Sequence, residues 1–222
     1  MKESAASFLS NVLSVVLGIV ITFTIQGVIN RSQDRKDVRS ALQLVRTELT
    51  ANRDDILFMR DYLEQEQASA RYLLEHKTDL DDCPVDSVVY HSGIIFADAS
   101  ISMSQDALEL LKNSSLFQKI GNNGLSMKII RAYDSCGTIA DALNRQNGTL
   151  IDRFENSVNE QTAGQFASSG SIDVRKYVKT DYGLYVLRRL ATRTGLDIIA
   201  DVSDIQEALD AVDAFLGKKR SS

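Results

Sequence analysis

The sequence predicts an all-α protein in which an N-terminal transmembrane helix continues into an antiparallel bundle of long helices. Three observations predict this fold class: an apolar run without charges over 8–29, a stretch without glycine or proline over 31–77, and a second long periodic segment over 125–160. The chain of 222 residues therefore divides into a tail and transmembrane anchor, 1–30, and a helical soluble domain, 31–222.

The composition excludes several classes of protein. A hydrophobic content of 44% is too high for a disordered chain, and two cysteines are too few for a disulfide scaffold. The formal net charge of −5 argues against a nucleic-acid partner, which would require a basic face. Mean hydropathy is −0.13, but this average combines one apolar span with a polar domain.

Residues 8–29 are predicted to be an uncleaved membrane anchor. They contain no Asp, Glu, Lys or Arg, and about 20 apolar residues suffice to cross a bilayer. The alternative is a cleaved signal peptide, which has a shorter apolar region and a small-residue cleavage site. The sequence that follows, NRSQDRK over 30–36, contains no such site.

Small or hydrogen-bonding residues recur at every fourth position of the predicted span. This spacing places them on one stripe of a helix, where neighbouring helices approach closely. The stripe predicts self-association or contact with another membrane protein. The alternative is that its hydroxyl groups bond to their own helix. The residues of this stripe are Ser10, Ser14, Gly18, Thr22 and Gln26.

The charges that flank the span predict the side on which the domain lies. Lys2 is the one basic side chain before the span, whereas Arg31, Arg35, Lys36, Arg39 and Arg46 follow it. The positive-inside rule therefore places the domain in the cytoplasm of a bacterial inner-membrane protein, with a periplasmic domain as the alternative. Cys83 and Cys136 do not decide on which side of the membrane the domain lies, since they could be free thiols or one disulfide bridge.

The segment 31–77 is predicted to be one long helix that the anchor enters directly. Its apolar residues follow steps of four and three, if Asn52 and Glu66 occupy the two remaining positions of the heptad seam. The alternative for these two residues is a bend or a solvent-facing stretch. The apolar seam residues are Val38, Leu42, Val45, Leu49, Ile56, Met59, Leu63, Ala70 and Leu73.

The stretch 78–87 contains the single proline, Pro84, and is predicted to end this helix. Its aspartates lack the glycine and the distal glutamate of a calcium loop, so a solvated loop is expected.

Residues 88–100 are expected to be irregular or a short helix. Ser102 and Gln105 match a capping box, which predicts a helix over 105–112, and a further helical turn follows at 116–120.

A second long helix is predicted over 125–160, after the glycine-rich turn 121–124, with a break at Asn147-Gly148 as the alternative. Cys136 lies on its apolar seam and is expected to be a small buried side chain. Antiparallel packing against 31–77 would bury both seams. After a linker at 163–171, helices are predicted over 172–192, interrupted at Gly183, and over 204–216, where Ser203 and Gln206 match a second capping box.

A search for chemistry gives no catalytic residue, no cofactor and no metal ligand. His76 and His91 are not spaced as ligands on one helical turn, and no phosphate loop or nucleophile motif is present. The sequence therefore predicts a protein that is not an enzyme, with an enzyme built on a dispersed site as the least favoured alternative.

Two stretches, VVLGIVITFTIQGVINRSQDRKDV at 15–38 and SQDALELLKNSSLFQKIGNNGLSMKIIRAYD at 104–134, resemble an uncharacterised family of small bacterial membrane proteins. These Bacteroidetes-type proteins have one N-terminal span, a basic exit and a helical domain. The resemblance covers about a quarter of the chain. It implies an inner-membrane protein and supplies no catalytic residue.

These observations together predict a membrane-anchored helical interaction or scaffolding protein that self-associates through its span. The expected partners are the lipid bilayer and either a second copy of the chain or another membrane protein. The alternative function is a sensor, in which a helical ligand-binding bundle transmits a signal through the span.

Overall fold

The structure, a computed structural model, describes the backbone of residues 2–97, 99–161 and 174–217, and the side chains of 32–97, 99–146 and 174–217. These residues form helices without any β-strand, which confirms the all-α class. The helices are α1 (Lys2–Glu75), α2 (Val85–Ile95), α3 (Asp106–Asn113), α4 (Leu116–Ile120), α5 (Asn123–Gln161), α6 (Val174–Tyr177), α7 (Asp181–Ala191), α8 (Leu196–Ile199) and α9 (Ser203–Gly217).

Helix α1 is the central element of the molecule. It spans 74 residues, and α2, α3, α4, α5, α7, α8 and α9 all pack against it. The predicted helix over 31–77 is confirmed, although it ends two residues earlier, at Glu75. Each of the nine apolar seam residues is buried, because this stripe faces the surrounding helices.

Within the fully described residues, no helix is long and apolar enough to cross a membrane. The predicted span at 8–29 belongs to the part of α1 whose side chains lie outside the described residues.

The two polar seam residues of α1 are buried, so the solvent-facing stretch considered as one alternative for them is wrong. Asn52 and Glu66 are each 2% exposed. Asn52 Nδ2 donates to the Ser104 carbonyl at 2.9 Å, and its Oδ1 accepts from the Ser104 amide at 3.1 Å. Asn144 of α5 forms the same pair of bonds with Ile101, at 2.8 and 3.0 Å. The two asparagines thereby fix Ile101 and Ser104 in the segment that precedes α3.

The chain reverses direction after α1 and returns along it. Pro84 occupies the N-cap position of α2, which is consistent with its fixed φ and missing N–H. The Tyr62 hydroxyl donates to the carbonyls of Ile94 and Ala97 at 3.1 and 3.0 Å, whereas His91 contacts Ser69 nearer the end of α1. Helix α2 is therefore antiparallel to α1. The end of α1 before Pro84 and the start of α2 after it confirm the expected break.

The expected antiparallel packing of the two long helices is wrong, because α1 and α5 run parallel. Tyr133 contacts Glu48, and Arg193 donates to the carbonyls of both Leu63 and Gln146, so residue numbers rise together along the two helices. The physical reason is the connection over 76–122, which carries the chain back along α1 before α5 begins. Lys119 of α4 accordingly pairs with Asp34 near the start of the described bundle, at 2.9 Å.

The antiparallel partner of both long helices is α9. Arg46 of α1 pairs with Asp213 at 2.6 Å, and Arg53 donates to Gln206 at 3.0 Å, so residue numbers fall along α9 as they rise along α1. Helix α9 confirms the predicted helix over 204–216, and Ile205, Ala208, Leu209 and Val212 form its buried face.

The two predicted capping boxes are not the caps of their helices. The side chain of Gln105 forms no cap hydrogen bond at α3, and the carboxylate of Glu48 from α1 instead accepts from the Ala107 amide at 3.2 Å. At α9, Asp201 accepts from the Ser203 amide at 3.0 Å, while the side chain of Gln206 binds Arg53 and Asp210. A carboxylate satisfies free N–H groups at a helix start wherever it originates in the chain.

The predicted helix over 172–192 is divided into α6 and α7. The break lies before Gly183, where Thr180 Oγ1 accepts from the Gly183 amide at 3.0 Å and caps α7. A Cβ atom on Gly183 would lie 2.1 Å from the Tyr177 carbonyl oxygen. Glycine therefore does not cause the break; it allows the first turn of α7 to approach the end of α6. The predicted linker at 163–171 lies outside the described residues.

The described buried residues form two hydrophobic clusters along α1. The larger cluster surrounds residues 38–63 and includes α3, α4, α5, α8 and α9. The smaller one surrounds Ala70 and Leu73 and includes α2, α6 and α7.

Both cysteines are free, so the alternative of one disulfide bridge is excluded. Cys83 is half-buried and Cys136 is buried.

Candidate functional site

The end of α1 farthest from residues 8–29 carries a compact group of titratable and aromatic side chains. We call it the distal cluster: Tyr72, His76, Asp79, Cys83 and His91. Its backbone continues in turns beyond α1, since the amide of His76 donates to the Tyr72 carbonyl at 3.1 Å and that of Asp79 donates to the His76 carbonyl at 3.2 Å. Steps of three and four residues in such turns place His76, Asp79 and Cys83 on one side.

Three side chains of the distal cluster present different ligand atoms to one small volume. His76 Nδ1 lies 3.3 Å from Asp79 Oδ2. The Cys83 thiol donates to the Asp79 carbonyl at 3.6 Å. The imidazole nitrogen of His76, a carboxylate oxygen of Asp79 and the sulfur of Cys83 all lie within 4.8 Å of one another. Nitrogen, oxygen and sulfur donors in this arrangement are suited to a transition-metal ion.

Aromatic packing holds the imidazoles of the distal cluster in place. The Tyr72 ring contacts His76 at a centroid distance of 4.6 Å and stacks on His91 at 4.0 Å. Ser69 Oγ lies 3.0 Å from His91 Nδ1, and burial lowers the pKa of His91. A hydrogen bond to Cys83 raises the pKa of the Tyr72 hydroxyl. Tyr72 therefore contacts two of the three ligand-bearing side chains.

A second polar group, the buried pair of Glu66 and Arg193, lies between the two hydrophobic clusters. Their carboxylate oxygen and guanidinium nitrogen are 2.7 Å apart, and the side chains are 3% and 4% exposed respectively. Burial raises the pKa of Glu66, while the charge of Arg193 opposes this shift. Because Arg193 also donates to Leu63 and Gln146, the pair joins α1 and α5 to the turn after α7.

A third polar group centres on Glu48 and serves the packing of α1 against α3 and α5. The Tyr133 hydroxyl donates to Glu48 at 2.6 Å, and the Ser104 hydroxyl does so at 2.7 Å. Burial, followed by the bond to Glu48, raises the pKa of Tyr133. Burial also raises the pKa of the nearby Cys136 thiol to about 11, so this thiol stays protonated at neutral pH.

The sequence-predicted site residues Ser10, Ser14, Gly18, Thr22 and Gln26 lie outside the described side chains, so their role as a helix contact stays a prediction. Sequence reasoning missed the distal cluster, because it compared only the two histidines with each other and assigned Asp79 to a loop. The spacing of His76, Asp79 and Cys83 was the available signal, and it becomes informative once the turns after α1 are known to be helix-like.

Comparison with known proteins gives no relative: no family model, no curated protein and no solved structure matches the chain. The resemblance to small bacterial membrane proteins therefore stays a prediction.

Proposed function

We propose that the protein is a membrane-anchored helical interaction protein, tethered by residues 8–29 and presenting its bundle to a partner. The observation that carries this proposal is the continuity of α1 from Lys2 to Glu75. One helix contains both the charge-free segment and the central element of the bundle, so an anchored span would fix the position of the whole domain.

The charge distribution supports the anchoring role. Residues 1–30 carry one lysine and one glutamate, so the whole formal charge of −5 lies on 31–222. A stretch of 22 residues without charge is unusual in a chain with 25% charged residues. The basic residues from Arg31 onward would lie at the cytoplasmic surface.

An exposed apolar face on α2 supports the interaction role. Val85 and Val89 are each 63% exposed, and Tyr90 is 57% exposed. Val85 and Val89 are one helical turn apart and share a side of the helix, and Tyr90 lies next to Val89, whereas Val88 and Ile95 face the smaller cluster. Large apolar side chains grouped on one exposed face are typical of a binding surface.

The test of anchoring is membrane fractionation of the intact chain and of a variant carrying Leu17→Arg and Ile21→Arg. Each arginine costs about 2.5–3.5 kcal/mol at the centre of a span, so the variant is expected to leave the membrane fraction. The control carries Leu44→Arg and Phe58→Arg, at positions 52% and 69% exposed on the bundle, and is expected to stay membrane-bound. Release of the native chain by high salt alone would contradict the proposal.

Self-association is tested by cross-linking in a bilayer. Replacing Ser14 and Gly18 by isoleucine puts bulky groups on the predicted stripe, so a lower oligomer yield is expected. Val16→Ile with Val20→Ile adds bulk to the other side of the same helix and serves as the control. An unchanged yield in the stripe variant, together with a monomeric soluble domain, would rule out assembly through the span.

A second candidate function is a sensor, favoured by the position of the distal cluster at the far end of α1. A ligand bound there would act on the same helix that contains residues 8–29. Protease access to the bundle in intact and permeabilised cells separates the two functions. A cytoplasmic bundle removes the periplasmic-sensor function, whereas a periplasmic one favours it over the interaction protein proposed above.

A further inference from the structure

We propose that His76, Asp79 and Cys83 bind a divalent transition-metal ion of the zinc type, through Nδ1, a carboxylate oxygen and the sulfur. This goes beyond the membrane-anchored interaction role and does not depend on it. The three side chains offer three different donor atoms within 4.8 Å of one another. Zinc commonly takes all three ligand types.

The separations fit tetrahedral coordination after small side-chain rotations. Metal–ligand bonds of about 2.0–2.3 Å place ligand atoms about 3.4–3.6 Å apart around a tetrahedral ion. His76 Nδ1 and Asp79 Oδ2 are already 3.3 Å apart. The sulfur of Cys83 lies within 4.8 Å of both atoms, so it would have to approach by at most about 1 Å to complete the set.

The backbone that carries the three ligands is ordered, and an aromatic ring packs against one of them. The amides of Asp79 and Asp82 donate to the carbonyls of His76 and Asp79, at 3.2 and 2.9 Å, so the backbone between the ligands is already ordered in turns. Tyr72 packs on the His76 ring at a centroid distance of 4.6 Å, as the outer partners of metal ligands do. Three protein ligands leave the fourth position to water.

The three donor atoms favour some metal ions over others. They also distinguish His76, Asp79 and Cys83 from the other aspartates of the same turn. Imidazole and thiolate favour zinc and copper over calcium and magnesium, which prefer oxygen ligands alone. Asp81 is engaged elsewhere, because its carboxylate pairs with Arg175 at 3.0 Å and lies 3.9 Å from Lys179. Asp82 is exposed and lies outside the group of three, which makes it the matched control for Asp79.

The test is a titration of the intact, detergent-solubilised and metal-depleted protein with Co²⁺, followed by displacement with Zn²⁺. The native chain is expected to bind one ion and to show a sulfur-to-cobalt charge-transfer band. Cys83→Ser is expected to lose this band. His76→Ala and Asp79→Asn are expected to weaken Zn²⁺ binding more than about 100-fold, and Tyr72→Phe about 10-fold, since outer partners contribute less than ligands.

Asp82→Asn and Cys136→Ser are the controls and are expected to leave the cobalt band and the zinc affinity unchanged. Zn²⁺ is expected to raise the Tm of the native chain but not that of Cys83→Ser, whose metal-free circular dichroism should match the native spectrum. Two results would overturn the proposal: a native chain that binds zinc no more tightly than Cys83→Ser, or an Asp82→Asn loss as large as that of Asp79→Asn.

Discussion

At the scale of single residues, the polar positions on the α1 seam decide how the helices around it are arranged. Asn52 fixes the segment before α3, and Glu66 meets Arg193 in the turn that follows α7. The heptad spacing placed both residues on the seam, because periodicity depends only on neighbours in the sequence. Their partners could not be predicted, since Ser104 and Arg193 lie far along the chain and approach only in the folded state.

Removing one charge of the Glu66–Arg193 pair is expected to destabilise the protein much more than replacing both residues by apolar ones. Glu66→Ala leaves a buried guanidinium without its counter-ion, which we expect to lower the free energy of unfolding by about 3–5 kcal/mol. Glu66→Leu combined with Arg193→Met removes both charges and is expected to recover most of that loss. Urea unfolding of the detergent-solubilised chain measures both; equal losses in the single and double variants would contradict this account.

At the scale of elements, the positions of the long helices were predictable, whereas the directions and caps of the helices and the break between α6 and α7 were not. The bounds of α1, α4, α5 and α9 follow from periodicity, glycine and proline, which act locally. The parallel packing of α1 and α5 depends instead on the path of the connection over 76–122. The cap of α3 likewise comes from Glu48 on another helix, which no local motif such as Ser102 with Gln105 reveals.

Gly183 and Gly137 provide a matched pair of glycine-to-alanine substitutions. Gly183→Ala places a Cβ atom 2.1 Å from the Tyr177 carbonyl oxygen, so α6 and α7 must separate, and we expect a loss of about 3 kcal/mol. Gly137 lies within α5 with nothing within 4 Å of its Cβ position, and Gly137→Ala is expected to stabilise by about 0.5–1 kcal/mol. Thermal unfolding distinguishes them, and a neutral Gly183→Ala would show that α7 does not approach α6 this closely.

At the scale of the whole molecule, one helix organises the protein. The larger cluster lies along residues 38–63 of α1 and the smaller one begins at Ala70, with the Glu66–Arg193 pair between them. The distal cluster follows the end of the same helix. A displacement of α1 along its axis would therefore act on both hydrophobic clusters and on the proposed metal ligands together.

Helix α1 joins the proposed anchor to the bundle as one uninterrupted helix. Spin labels at residues 7 and 47, in a variant with both native cysteines replaced and reconstituted in lipid nanodiscs, measure this directly by pulsed electron resonance. A continuous helix with a rise of 1.5 Å per residue predicts a narrow distribution centred at about 60 Å. A broad distribution, or a mean below about 50 Å, would show a break between the two parts and contradict the account.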